Sequence, residues 1–220
     1  MMSTVVCALH HHIGGESAFE RGLNISSERE IYAAQIDWMG RNFDFIDLDV
    51  LLSGRLPRRP LLLTFDDTFR SVLDVVRAVL APRGIPSVYF INPGLLGDNA
   101  ISLDSALAWA IAKAGVEVVC DALGVPRRAS VAEVILQDMA TFGAEKRSEI
   151  KARVLAAFGP PDFAGRAPLL DPAELADLPS LGVEIGNHTM THVHCRALDA
   201  AEIETEVVRA KERLEELSKS

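Results

Sequence analysis

L-L-L-T-F-D-D, residues 61–67, is the stretch from which the fold of this chain is read. Leu61, Leu62 and Leu63 with Phe65 give the pattern of a strand buried on both faces, as in a parallel sheet. Asp66 and Asp67 fall at its C-terminal end, the edge where open α/β sheets and α/β barrels place their chemistry. Two carboxylates side by side at the end of a buried strand are costly unless a positive charge lies beside them, and a divalent cation meets that need. The competing reading is structural: one Asp caps the next helix and the other is solvated.

Working outward, a helix is predicted over residues 69–81, with Val72, Val75, Val76 and Val79 inward and Pro82 and Gly84 as its stop. Ser87–Ile91 reads as the next strand, followed by Asn92, Pro93 and Gly94. On the N-terminal side, residues 4–9 read as a buried strand running into His10, His11 and His12 and then Gly14 and Gly15. We read these histidines as a native loop, with one or two of the three facing a site. Ser27 and Glu30 form a capping box before a helix with Ile31, Ala34, Gln35 and Trp38 on one face. Residues 43–48 read as a second strand, and residues 56–60 as a surface loop. Strand and helix thus alternate as in parallel β/α units.

From residue 102 the rhythm becomes helical, over residues 102–114, 131–141 and 144–158, with a short strand at 116–119. This is read as a helical insertion at about residues 100–178, without a chemical clue in its residues. Asp171 and Pro172 mark a helix start. Residues 182–186 are again a strand, leading into N-H-T-M-T-H at residues 187–192. A capping box at Asp199 and Glu202 opens a last helix with Ile203, Val207, Ala210, Leu214 and Leu217 at helical spacing; the charges opposite read as a solvated face.

Composition narrows the function classes. The chain has 220 residues, 49% apolar, enough for a single domain with a substantial core. Its 22 basic and 31 acidic residues leave a net charge of −9, which argues against nucleic acid or an anionic membrane as partner. Cys7, Cys120 and Cys195 are far apart and read as reduced thiols. With no signal peptide or transmembrane span in the pattern, a cytoplasmic location is expected, export by another route staying open.

His188 and His192 stand at H-x₃-H spacing, which suits two imidazoles on one zinc. That spacing alone is weak, because a histidine satisfied by a hydrogen bond is commoner. The context adds weight: the pair follows a strand, as Asp66 and Asp67 do. In one parallel sheet both strand ends open on the same rim. One carboxylate and two imidazoles with an open position make a catalytic site, and the second carboxylate is placed to take a proton from water. Spacing does not divide these roles between Asp66 and Asp67.

T-F-D-D at residues 64–67, with H-T-M-T-H at 188–192, resembles the first two motifs of the polysaccharide deacetylase family, carbohydrate esterase family 4. L-H-H-H-I at 9–13 is similar to the family's first strand end and places its histidine at His11; G-I-P-S-V-Y-F-I and G-V-E-I-G-N-H-T also match in style. The resemblance implies a distorted (β/α) barrel. It implies Asp66 as catalytic base and Asp67, His188 and His192 as ligands of a divalent metal, usually Zn2+. Thr189 would orient the loop, and His11, Thr189 and Asn187 would line the site. The implied reaction is metal-assisted hydrolysis of an acetyl group, most often N-acetyl, from a carbohydrate substrate.

Two departures stand out. Thr68 replaces the usual Gly. The chain stops at Ser220, before the family's later motifs: an Arg-x-Pro-Tyr stretch, an aspartate-tryptophan stretch and the histidine that acts as general acid. A β/α barrel takes about 250 residues, so the expected fold is α/β, a barrel of this type incomplete at the C-terminus. Two further readings stay open: a metal-binding relic or partner subunit, including a homo-oligomer whose second copy covers an open sheet edge, and another metal-dependent amidohydrolase using His10 and His12.

Overall fold

The structure is a computed structural model that describes residues 4–14, 17–23, 26–97, 101–163 and 165–219. Gly15 and the side chain of Ser27, on which the first expected capping box rests, lie outside the described parts. The chain opens with β1 (Val6–His10) and the short β2 (His12–Ile13), then α1 (Ala18–Gly22), β3 (Ser26–Ser27), α2 (Arg29–Asn42), β4 (Asp44–Ile46) and α3 (Leu48–Ser53). The apolar run forms β5 (Pro60–Phe65), buried at every residue. Next come α4 (Arg70–Val75), prolonged by a π turn, and β6 (Ser87–Ile91). A helical stretch follows: α5 (Leu103–Ala114), α6 (Val116–Leu123), α7 (Val131–Glu133), α8 (Ala144–Phe158) and α9 (Pro172–Asp177). Strand β7 (Val183–Asn187) leads to a final helix built from α10 (Ala200–Ile203), a π turn and α11 (Ala210–Leu217).

All pairings in the main sheet are parallel. β1 runs along all but the first residue of β5, from Val6 opposite Leu61 to His10 opposite Phe65. The other flank of β5 is shared: β4 takes Pro60–Leu62, and β6 pairs only at Thr64 and Phe65. One flank of β5 is therefore split between two strands, β4 at its start and β6 at its end. Among the described residues no pairing joins β7 back to β1. Alternation along β5 supplies two cores. Leu61, Leu63 and Phe65 join the large apolar core with Leu107, Val119 and Val154 of the helical stretch, while Leu62 packs with Ile46 and Val88. The helices between β6 and β7 thus share the core of the sheet.

Several local expectations change. β1 is an edge strand, not a buried one: Val6 is 39% and Leu9 49% exposed. Helix α2 has apolar residues on more than one side and buries Tyr32 and Ile36, leaving Ile31 and Trp38 outside. It starts behind Glu28, which makes no side-chain cap. β4 stops at Ile46 because Asp47 accepts from Val50 N at 2.7 Å and caps α3. Residues 116–119 are helical, not a strand. Gly115, at φ 88°, breaks the chain from α5, and α6 then buries Val119 and Cys120 on one face; four residues are too few for their period to decide. The capping boxes at Asp171 and Asp199 are present.

Near the rim, buried His12 meets Glu20 of α1, Nε2 to Oε1 at 3.1 Å, and Glu20 also closes a capping box with Ser17. The hydrogen bond from His12 draws the Glu20 carboxyl down to about 2, with burial opposing and the Ser17 bonds assisting. A depressed carboxyl stabilises the fold above its unfolded value of 4.5 and loses that contribution as pH falls towards about 2. Urea midpoints measured between pH 5.5 and 2.5 should therefore fall more steeply for the wild type than for Glu20→Gln, with a difference of about 1–2 kcal/mol after solvent screening. Parallel curves would show that the pair contributes nothing.

Candidate metal centre

The parallel register carries fixed geometry to the rim. Asp66 N donates to His10 O and His188 N to Ile91 O, each at 3.0 Å, so hydrogen bonding continues one residue past the ends of β5 and β7. Asp67, His188 and His192 then converge. Asp67 Oδ1 lies 3.3 Å from His188 Nε2 and 3.1 Å from His192 Nε2. Two ligands about 2.0–2.1 Å from one zinc at the tetrahedral angle are about 3.3 Å apart, so the spacing fits. Asp67 Oδ1 is buried and, despite these distances, has no aligned hydrogen-bond donor among the described residues. Close but misaligned contacts suit atoms that converge on a shared cation. Asp66 stands beside them, its Oδ2 3.9 Å from His188 Nε2.

The two carboxylates differ electrostatically. Burial pushes Asp66 up, and Asp67 adds to this, with His188 opposing. Burial acts on Asp67 in the same sense, but the contacts from His188 and His192 outweigh it and hold Asp67 far below the usual carboxylate range. His192 is pushed up to about 10: burial lowers it, and Asp104 and Asp67 more than reverse that.

His11 exerts its field on both Asp66 and Asp67 and is the member of the triple histidine on this side. His10 packs edge-on to Tyr32, at 4.9 Å between centroids, and against Phe65. With His12 committed to Glu20, the H-x-H pair is turned to structural work, and neither residue joins the metal-type cluster formed by Asp67, His188 and His192. Thr189 and Asn187 use their side chains on the backbone of the loop and of the final helix. Thr189 Oγ1 accepts from Val193 N at 3.2 Å; Asn187 accepts from Thr189 N at 3.0 Å and donates to Val207 O at 2.8 Å.

Among the described residues the only non-glycine residues at positive φ are Asp67 (77°), Thr68 (64°), Thr189 (67°) and His192 (63°). All four lie in the two site loops, and each such backbone costs of order 1–3 kcal/mol. Thr68 is the sharpest case, since a β-branched residue is poorly suited there and Gly would be free of strain. It is fully buried, and its Oγ1 accepts from Asn92 N at 2.8 Å.

Other residues that hold the loops escape a reading of motifs. Asn92, just past β6, donates through Nδ2 to His188 O and Thr189 O. Gly94 N donates to Met190 O at 2.9 Å, and a Cβ there would stand 2.6 Å from that oxygen. Glu206, a charged residue of the final helix at the edge of its apolar stripe, is 2% exposed and accepts from both N and Oγ1 of Thr191 at 2.8 Å. Asp104 of α5 lies 3.0 Å from His192 Nδ1 and pairs with Arg147 of α8 at 2.7 Å. The helical stretch, read as chemically silent, therefore reaches the site. A usable signal existed only for Asn92, a polar residue at the end of a third apolar strand.

The family model for polysaccharide deacetylase matches residues 53–220, well over half of the chain. No curated protein matches the sequence. Among solved structures, the chain is similar to the Streptococcus pyogenes deacetylase PplD in complex with acetate, with a TM-score of 0.59 and 14% identity over 98% of this chain and 70% of that one. It is also similar to BC0361, a polysaccharide deacetylase from Bacillus cereus, with a TM-score of 0.56 and 12% identity over 98% of this chain and 48% of that one. At these identities the likeness is one of fold, and the chain spans about half the length of the second protein. On the family match, the chain belongs to the polysaccharide deacetylase family.

Proposed function

We propose that this chain carries the metal site of a hydrolase that removes acetyl groups, N-linked by preference, from a carbohydrate polymer or oligosaccharide. The observation that carries the reading is the convergence of Asp67, His188 and His192 on one point, with Asp66 alongside. Family membership supports the acetyl chemistry, and acetate, the ligand in the PplD complex, is the product such a reaction releases. Asp67 Oδ1 and the Nε2 atoms of His188 and His192 would hold a divalent ion, with zinc favoured by the mixed nitrogen and oxygen donors. When bound, that ion supplies Lewis acidity for water and for the acetyl carbonyl.

The chain's own residues do the rest. Asp66 takes a proton from the attacking water, and burial raises its basicity for that task. Asp67 stays ionised between two imidazoles and so remains a ligand. His11 adds a polar group on the side of the two aspartates. The bonds from Asn92 and Glu206 keep the 188–192 loop where its histidines meet Asp67.

Isothermal titration with zinc should show one tight site in the wild type and none in Asp67→Ala, with unchanged far-UV circular dichroism. Zinc held by Asp67→Ala would remove the triad. Asp66→Asn should keep the metal and lose about 10²–10⁴-fold in deacetylation of a chitooligosaccharide; undiminished turnover would remove Asp66 as base. Because the ionised form of Asp66 is required and its pKa is raised, kcat/KM should fall on the acid side through a value above 3.8. Tight zinc with no hydrolysis would make the chain a metal-binding module of the same fold.

A further inference from the structure

The structure assigns Asp104 as a positioning residue for His192, acting as one unit with Arg147; the inference rests on the metal site proposed above. Asp104 sits in the first turn of α5, behind the N-cap Ser102, where a carboxylate is favoured by the helix dipole. Its two oxygens are divided: Oδ2 lies 3.0 Å from His192 Nδ1, and Oδ1 lies 2.7 Å from Arg147 Nη2. Arg147, 3% exposed, reaches back to the same target, with Nη2 donating to His192 O at 3.2 Å and Nη1 to Met139 O at 3.2 Å. One ion pair from two helices thus holds His192 at its main chain and comes close to its ring, where Nδ1 is buried and has no aligned hydrogen-bond partner among the described residues.

Two features separate this from a mere link between α5 and α8. Such a link needs only the Asp104–Arg147 pair, yet the second carboxylate oxygen stands 3.0 Å from the imidazole nitrogen other than the one near Asp67, a buried nitrogen with no aligned hydrogen-bond partner among the described residues. His192 also has a left-handed backbone, φ 63°, and needs an external hold to keep Nε2 on the metal point. The groups around its ring are Asp67 from the β5 end, Asp104 from α5, Arg147 from α8, and His188 and His194 from its own loop. Of these, Asp104 faces Nδ1. A carboxylate at the far nitrogen of a metal-binding imidazole fixes its orientation and makes it a better ligand.

The test measures zinc affinity by competition with a chromophoric chelator for wild type, Asp104→Asn, Asp104→Ala and Asp67→Ala. Asp104→Asn and Asp104→Ala should bind about 10–100-fold more weakly than wild type, with far-UV circular dichroism unchanged; affinity within twofold of wild type would overturn the assignment. Should both Asp104 variants fail to fold, the wild type still decides. In ¹⁵N-histidine-labelled, zinc-loaded protein, the His192 Nδ1 proton should appear as a low-field resonance protected from exchange, and its absence would overturn the assignment. Failure of the metal site itself looks different: wild type and Asp67→Ala would then bind zinc equally weakly, and both readings would fall.

Discussion

A nearly buried carboxylate between two imidazoles is the arrangement on which the rest of this rim depends. Asp67 has lost most of its water, which alone would drive it towards the neutral acid. The nearby nitrogens of His188 and His192 reverse that and keep it charged. Moving either loop by an ångström would leave a buried charge unpaired, which costs several kcal/mol. The parallel sheet meets the demand for precision. Its register sets Ile91 opposite Asn187 and His10 opposite Phe65, and the ladder ends one residue beyond each pair, at His188 and Asp66.

Bringing both loops to one point strains them. Among the described residues, the four left-handed non-glycine residues are Asp67 and His192 of the candidate cluster, Thr68 next to Asp67, and Thr189 next to His188. The compensation is visible in the buried polar bonds around them. Thr68, strained itself, holds Asn92, and Asn92 in turn holds the carbonyls of His188 and Thr189. The two loops are therefore fastened to each other through the end of β6. That accounts for a threonine at a position where glycine would be free of strain: the hydroxyl supplies a bond that glycine lacks.

The order of the main strands and the position of the candidate site were legible because they rest on strong local signals. A six-residue apolar strand, carboxylates at its end and H-x₃-H after another strand all survive inspection of a single sequence. What was not legible depends on which way a helix faces. Tyr32 and Ile36 of α2 turn inward while Trp38 turns out, and no count of apolar residues separates the two faces. Glu206 sits among many charged neighbours on its helix, yet it alone is inserted under Thr191. Residues 116–119 carry three valines, but a strand there would have no partner, while a helix buries Val119 and Cys120 in the existing core.

The helices between β6 and β7 have the same lesson on a larger scale. An insertion is usually read as added to a fold and free of its chemistry. Here Leu107, Val119 and Val154 belong to the core that contains Phe65, so α5, α6 and α8 are packed rigidly behind the sheet. Rigid packing fixes where Asp104 and Arg147 stand, and both reach the loop after β7. Their charges are largely buried and mutually satisfied. An ion pair so placed adds little net stability over an apolar substitute, because its desolvation offsets most of its attraction. Its value lies in direction: it holds an imidazole at a chosen angle, which an apolar contact of the same volume does not do.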